Sequence, residues 1–343
     1  MNVKHFKKEI DKLRKARTDL INVSNAEWYS LFKDEIRNSI AIEGVFADRN
    51  DLLNVLDKNK RTDRQKTASI LGYFESASSM YEYAHNQYKE KEFILRLSDV
   101  KQIHTLLMRY EKSMGIYIGD LGEYRKSNVA VAQATFRSID VYHVNAAMEL
   151  LVKWINSKLD DEEFDPVTLA AVSHVWFETI HPFRDGNGRV GRIILSYLLI
   201  GQGLMNIAIK GVAKSDRETY YNTLEVCDDC FEHMHSDMEK KKKITVKDVD
   251  KYIRDADFSL LEKIIVKRLE DSIKRLTISS KDRLEDDTVL SLHELAEVFN
   301  YSQDYLRNLI NRKKLKAHKE GKLWYVRIRD LQKYMDSAAK GKK

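Results

Sequence analysis

The sequence predicts a mainly α-helical chain with a small winged helix-turn-helix unit at its C-terminal end. Three observations carry this reading. Only 2 Pro and 13 Gly occur in 343 residues, too few turn formers for an all-β chain and well suited to long helices. Apolar residues recur at helical spacing through most of the first 280 positions. The basic excess is local: residues 281–343 carry a net charge of +5, whereas the preceding 280 carry only +1, which marks a small basic module. A hydrophobic content of 43% supports a buried core, and the length suits two or three domains. Two cysteines exclude a disulfide-built scaffold. The start, MNVKHFKKEIDKLRK, has no signal-peptide pattern, and the longest apolar stretch, 193–200, is far short of a membrane span. The expectation is a soluble cytoplasmic protein that does not engage a membrane.

The elements follow in order. Residues 1–22 read as a charged amphipathic helix. Residues 25–43 read as a second, with Trp28, Leu31, Phe32, Ile36 and Ile40 near helical spacing and Gly44 to end it. Helices are predicted at 63–89 and 97–109. Gly115, Gly119 and Gly122 then punctuate 115–142, and the alternation Val129-Ala-Val131-Ala suggests an irregular loop with a short hairpin. A helix returns at 143–159. Asp165-Pro166, an N-cap followed by a first-turn proline, opens an apolar helix over 166–180. A break at 181–188 precedes another apolar helix at 189–200. Helices at 216–240 and 248–276 complete the larger part. In the basic module, a helix at 290–299, a turn at 300–302, a second helix at 303–311, a two-stranded wing over 315–328 with Gly321 at its tip and a short helix at 330–335 give the winged helix-turn-helix order.

The stretch 181–192, HPFRDGNGRVGR, carries the chemistry. Gly186 and Gly188 allow close backbone approach to a ligand, and the free N–H groups of the following helix start make an anion site. Arg189 and Arg192 lie in the opening of that helix, where the dipole disfavours each cation by ~0.3–1 kcal/mol; a bound polyanion would compensate. Asn187 adds a neutral donor for a phosphate oxygen. Asp185, a carboxylate in a cationic pocket, suits a hard divalent ion shared with phosphate oxygens. His181 is placed as a general base for an incoming hydroxyl, and Phe183 anchors the loop in the core.

This stretch resembles the Fic motif, HxFx[D/E]GNGRxxR, at every specified position: His181, Phe183, Asp185, Gly186, Asn187, Gly188, Arg189 and Arg192. Gly122-Glu-Tyr-Arg125 and Tyr220-Tyr221-Asn-Thr-Leu224 also look like Fic cores, and the resemblance covers about 25–240. It implies a Fic-type helical bundle with a β-hairpin flap, and transfer of AMP from ATP to a Ser, Thr or Tyr hydroxyl of a target protein and of the chain itself. His181 would be the catalytic base and Asp185 the Mg²⁺ ligand. Gly186, Asn187, Gly188, Arg189 and Arg192 would bind the phosphates, Tyr221 or its neighbour Tyr220 would lie against the adenine, and 129–136 would be the flap that takes up a target strand. Gly188 stands where phosphorylating members of the family carry lysine.

Ser39-Ile-Ala-Ile-Glu43-Gly44 is a second signal. Ser39 and Glu43 share a helix face, and Glu43 stands at a helix C-terminus among apolar neighbours, where an anion needs a partner. Arg192, a cation in excess, is the economical one. The six residues are similar to the Fic inhibitory motif, [S/T]xxxE[G/N], which implies that Glu43 holds Arg192 away from ATP. The same residue could instead activate water to remove AMP.

Cys227, Cys230, His233 and His235 fall too close together on one helix to surround a tetrahedral ion. The C-terminal module is similar to excisionase-type winged helices. It offers Arg307, Asn311, Arg312 and Lys313 to DNA, with a repurposed protein-binding module as the alternative. The domains expected are 1–110 (N-terminal helices, with the inhibitory helix at about 25–44), 111–245 (catalytic core), 246–285 (helical linker) and 286–338 (winged module). A DNA-binding regulator or toxin–antitoxin component that uses the Fic domain as a nucleotide sensor, or a de-AMPylating enzyme, is the competing reading, and a homo-oligomer stays open.

Overall fold

The computed structural model describes residues 3–16, 20–130, 137–159, 161, 164–280, 289–298, 301–321, 323–331, 333 and 334. Two compact units divide the chain, residues 1–272 and 273–343. In the first unit, α1 (Val3–Ala16), α2 (Ala26–Ile42), a short α3 (Arg49–Leu52) that runs into one π-helical turn, α4 (Arg64–Glu90) and α5 (Leu97–Ser113) precede a long irregular segment. Then follow α6 (Val144–Leu159), α7 (Pro166–Ile180), α8 (Asn187–Gly201), α9 (Lys214–Glu225), α10 (Asp229–Glu239), α11 (Val246–Tyr252) and α12 (Ser259–Ser280). No described helix is long and apolar enough to cross a membrane.

The Asp165 cap forms where the sequence places it, and α2 has a cap of its own. Asn25 accepts from the amides of Glu27 and Trp28 to open α2, and Asp165 accepts from those of Val167 and Thr168 to open α7. α7 and α8 are buried almost all round and pack on each other; α4 lies along both α5 and α8. This apolar pair is the floor on which the loop between them, 181–186, is held.

Three expectations are corrected. The helix expected over 216–240 is two, α9 and α10, broken at 226–228, where the buried Cys227 thiol donates to the Asp257 carbonyl (3.0 Å). The helix expected over 248–276 is also two, parted at 253–258, with Asp257 accepting from the Ser259 amide (2.9 Å). Residues 49–57, to which the sequence assigned no element, are helical. The hairpin expected at 129–136 lies largely outside the described residues, which exclude 131–136.

In the second unit, residues 289–291 are a strand, β1 (Val289–Ser291), and not the start of the predicted helix. α13 (Leu292–Val298) and α14 (Gln303–Asn311) follow, then β2 (His318–Glu320) and β3 (Leu323–Arg327). The wing is therefore a three-stranded antiparallel sheet of order β1-β3-β2, with Leu290 opposite Val326 and Lys319 opposite Trp324. Leu295, Leu306, Leu309, Leu315, Val326 and Ile328 form its core.

Candidate active site

The loop between α7 and α8 is built by backbone geometry. His181 ends α7 in the left-handed conformation (φ 50°, ψ 61°), its amide bonded to the Phe177 carbonyl. A non-glycine residue there stores strain of about 1–3 kcal/mol and turns the chain back towards α8. Phe183 is fully buried and stacks on His104, with ring centroids 3.9 Å apart and planes 9° from parallel. His104 Nδ1 accepts from the Gly122 amide (2.9 Å), so Nε2 carries the proton and donates to the Asp185 carbonyl (3.3 Å). Burial holds this imidazole near pKa 4, neutral. The loop is thus pinned from beneath by one aromatic stack and one histidine.

His181 Nδ1 lies 3.3 Å from the Glu178 carbonyl. A proton on Nδ1 directed to that oxygen leaves the Nε2 lone pair free to accept another. Burial is the main reason that its pKa falls to about 4, and the Arg125 charge adds to it. The ring is therefore an unprotonated acceptor at neutral pH.

α8 begins at Asn187, two residues earlier than the sequence suggests, behind Gly186 in the left-handed region (φ 81°) with no side-chain cap. Its first-turn amides point outwards, as an anion site requires. Two expected phosphate ligands also bind within the chain. The Asn187 amide group bonds both ways to Phe183, Nδ2 to its carbonyl and Oδ1 to its amide, each at 2.8 Å; it staples the loop. Arg189 is buried and paired with Glu111, which also accepts from Ser69 Oγ (2.9 Å). Arg189 therefore contributes field and support from below. Its guanidinium is 3.9 Å from the Asp185 carboxylate, whose side chain is 63% exposed.

Arg192 faces α2. Its Nε donates to Ser39 Oγ (2.8 Å), and its Nη2 donates to the Ser39 carbonyl (3.0 Å) and to Glu43 Oε1 (2.6 Å). Burial opposes charge on Glu43, yet Arg192 and Arg189 together hold its carboxyl below the usual range. A β-carbon on Gly188 would stand 2.4 Å from Glu43 Oε1. The Glu43 carboxylate thus occupies the mouth of the α8 anion site and would have to shift if Gly188 carried a β-carbon.

Tyr221 was expected against an adenine ring. Its hydroxyl donates to the Ile42 carbonyl (3.0 Å), at the end of α2. Behind the site, Tyr220 Oη is 2.6 Å from His174 Nε2. Glu178, pushed up to about 8 chiefly by burial, lies 3.9 Å from His174 Nδ1. The sequence reading missed Glu111, and it missed Glu35, which is buried one turn before Ser39 and accepts from Tyr73 (2.9 Å), Tyr81 (2.5 Å) and Asn206 (2.7 Å). The 4-residue spacing of Glu35, Ser39 and Glu43 was the available signal.

Among the described residues, no three His, Cys, Asp or Glu side chains group as a metal cage. Trp176 Nε1 donates to His235 (3.2 Å) and Cys230 Sγ lies 3.3 Å from the Cys227 carbonyl, as ordinary packing residues do. In the second unit, Arg307, Asn311, Arg312 and Lys313 are all exposed. α14 ends at Asn311, so Arg312 and Lys313 stand in the turn after it, with Lys313 at φ 55°. Arg307 pairs with Asp304 (3.0 Å).

The comparisons with known proteins agree with this geometry. Residues 94–199 match the Fic/DOC family and 289–339 a helix-turn-helix domain. The probable protein adenylyltransferase of Aquifex aeolicus is 27% identical over 312 residues, covering 91% of this chain and 89% of that protein. The protein adenylyltransferase Fic of Aedes aegypti is 26% identical over 237 residues. That alignment covers 66% of this chain but only 44% of the mosquito protein. In fold, a Fic domain containing signaling protein from Bacteroides thetaiotaomicron superposes with a TM-score of 0.57 at 22% identity, covering 80% of this chain and 97% of that one. Fic-1 of C. elegans (residues 134–508) does so with 0.55 at 18% identity, covering 81% and 72%. Residues 94–199 are thus similar to the Fic/DOC family, and residues 289–339 to a helix-turn-helix domain at the C-terminal end. Both of these relatives, in Aquifex aeolicus and Aedes aegypti, are named as protein adenylyltransferases, that is, as nucleotidyltransferases.

Proposed function

We propose that this chain transfers AMP from ATP to a protein hydroxyl, its own included, and that Glu43 holds the reaction off. The acceptor oxygen attacks the α-phosphorus, its proton passes to His181 Nε2, and the bond to the departing pyrophosphate breaks. The neutral, oriented imidazole suits that role. The outward amides at the start of α8 would stabilise the charge on the phosphates. Arg192 would add its charge once freed from Glu43. Asp185 fits a divalent ion: its exposed side chain places one carboxylate beside the anion site, and Mg²⁺ is held in such places by one or two carboxylates plus substrate phosphates. When bound, Mg²⁺ would neutralise phosphate charge.

The observation that carries inhibition is the pair of Arg192 and Glu43 at 2.6 Å over Gly188. A carboxylate there competes with a phosphate for the same donors. The transfer itself is tested with ATP labelled separately at the α- and γ-phosphates, using Glu43→Gly and Glu43→Gly with His181→Ala. Label from the α-phosphate alone should enter the first protein and neither label the second. Entry of γ-label would mean phosphorylation. Removal of AMP from a modified protein by the parent but not by Glu43→Gly would assign Glu43 the water-activating role.

A second reading concerns the C-terminal unit. The exposed Arg307, Asn311, Arg312 and Lys313 on and after α14 support DNA binding by this domain. Binding that weakens steeply with salt and is lost on Arg312→Ala with Lys313→Ala would support it; salt-independent retention of a protein would point to the other role.

A further inference from the structure

Arg125 belongs to no step proposed above, yet it is buried (5% exposed) beside the site. Its Nε donates to the His181 carbonyl (2.9 Å). Its Nη1 donates to the Ser127 carbonyl (3.0 Å) and Asn128 Oδ1 (3.3 Å), and its Nη2 to the Ile139 carbonyl. Its own amide donates to the Pro182 carbonyl (2.8 Å). One guanidinium therefore touches the residue carrying the base and two segments, or limbs, 125–129 and 137–141. Further bonds close the two limbs on each other: Ser138 Oγ to the Val129 carbonyl (3.1 Å), Asn128 Nδ2 to Asp140 (2.9 Å), and the Val141 amide to Asn128 Oδ1 (2.8 Å). From the far side, α10 fixes the second limb, with Glu239 accepting from the Asp140 amide (2.8 Å) and Glu232 from the Arg137 amide (2.5 Å).

We propose that Arg125 is a positioning residue that locks the base-bearing turn to the two segments 125–129 and 137–141, so that His181 Nε2 meets the acceptor hydroxyl in a fixed register. The inference rests on the transfer reaction proposed above. Only arginine can do this. Its planar fork reaches acceptors in three directions at once, whereas lysine keeps the charge but is a single point on a flexible stem. No bond from Arg125 runs to the first turn of α8, so nucleotide binding is separable from its role. A misplacement of about 1 Å at a reacting group costs on the order of 100-fold in rate.

The test places Arg125→Lys in the full-length Glu43→Gly protein and follows self-modification against ATP concentration. The expected result is a fall of at least about tenfold in the rate at saturating ATP, with KM for ATP within about twofold of the parent. Amide exchange should quicken together in 127–129, 137–141 and 181–183, in both the Glu43→Gly and wild-type backgrounds. Asn128→Ala, at an exposed position, should show the same pattern more weakly, and it decides the matter if Arg125→Lys does not fold. An unchanged saturated rate, or a loss carried by KM for ATP, would overturn the proposal. If Glu43→Gly itself transfers no AMP, the functional reading has failed, and exchange in the wild-type background still decides whether Arg125 locks the three segments. Separate responses there would refute it.

Discussion

Gly211→Ala should release the inhibited state without touching the charged pair. The segment after α8 grips α2 closely: the Gly211 amide donates to Asn38 Oδ1 (3.0 Å). A β-carbon on Gly211 would stand 2.6 Å from the Asn38 carbonyl oxygen and 2.3 Å from Ile42 Cγ1. The side chain of Ile42 has some room to turn, but the carbonyl of a helix does not, so α2 must move outwards. Overpacking of this kind costs about 1–3 kcal/mol, which at about 1.4 kcal/mol per tenfold loosens the seat of α2 by about 5- to 150-fold. Glu43 is the next residue after Ile42 and moves with it. The assay is the initial rate of AMP incorporation at fixed ATP for the parent, Gly211→Ala, Glu43→Gly and the double variant. The single Gly211 change should raise the parental rate several-fold or more, yet leave the Glu43→Gly rate unchanged, because no carboxylate remains to be seated. A parental rate unmoved by Gly211→Ala in a folded protein would refute the idea that the grip on α2 sets the inhibition. Equal factors in both backgrounds would do the same.

Three other outcomes follow from the buried charges. Glu111→Gln leaves the Arg189 guanidinium buried without its carboxylate, a loss of about 3–5 kcal/mol; Tm should drop by on the order of 10 °C, and an unchanged Tm would show that Arg189 finds another partner. Glu35, buried under Tyr73, Tyr81 and Asn206, is pushed up to about 7 by burial. The folded chain thus keeps this proton where the unfolded chain has lost it. The contribution is full below about pH 4.3 and fades as pH rises through about 7, costing about 3 kcal/mol at higher pH. Urea denaturation should show Glu35→Gln gaining on the parent between pH 5 and 8, and a parent that gains instead reverses the sign. With the His181 pKa near 4, transfer by Glu43→Gly should stay flat from pH 8 to about 5, and a limb near 6.5 would show an exposed imidazole.

What was legible in the sequence was local. The cap Asp165, the glycines at 186 and 188 and the spacing of Ser39 and Glu43 each act within a turn or two of helix, so type and position could be read directly. The link between Glu43 and Arg192 joins residues 149 apart, yet it could be foreseen because each charge stood at the wrong end of its helix. The tertiary partners of Asn187 and Arg189 were not legible for the opposite reason. Their partners, the Phe183 backbone and Glu111, leave no signature in a motif that names only residue types. The same holds for Arg125, three of whose four acceptors are backbone carbonyls, and for Tyr221, whose acceptor is the end of α2. The breaks at 226–228 and 253–258 carry no glycine or proline; Cys227 meeting the Asp257 carbonyl is a tertiary event that helical periodicity cannot encode.

The central claim is that one carboxylate on α2 withholds Arg192 from the nucleotide. The most direct measurement is the initial rate of AMP incorporation by the parent and by Glu43→Gly at the same concentrations of ATP and Mg²⁺. A charge-assisted bond of this kind is worth about 1.5–3 kcal/mol, so the variant should be faster by about 10- to 150-fold. Equal rates in two folded proteins that both bind ATP would contradict the account.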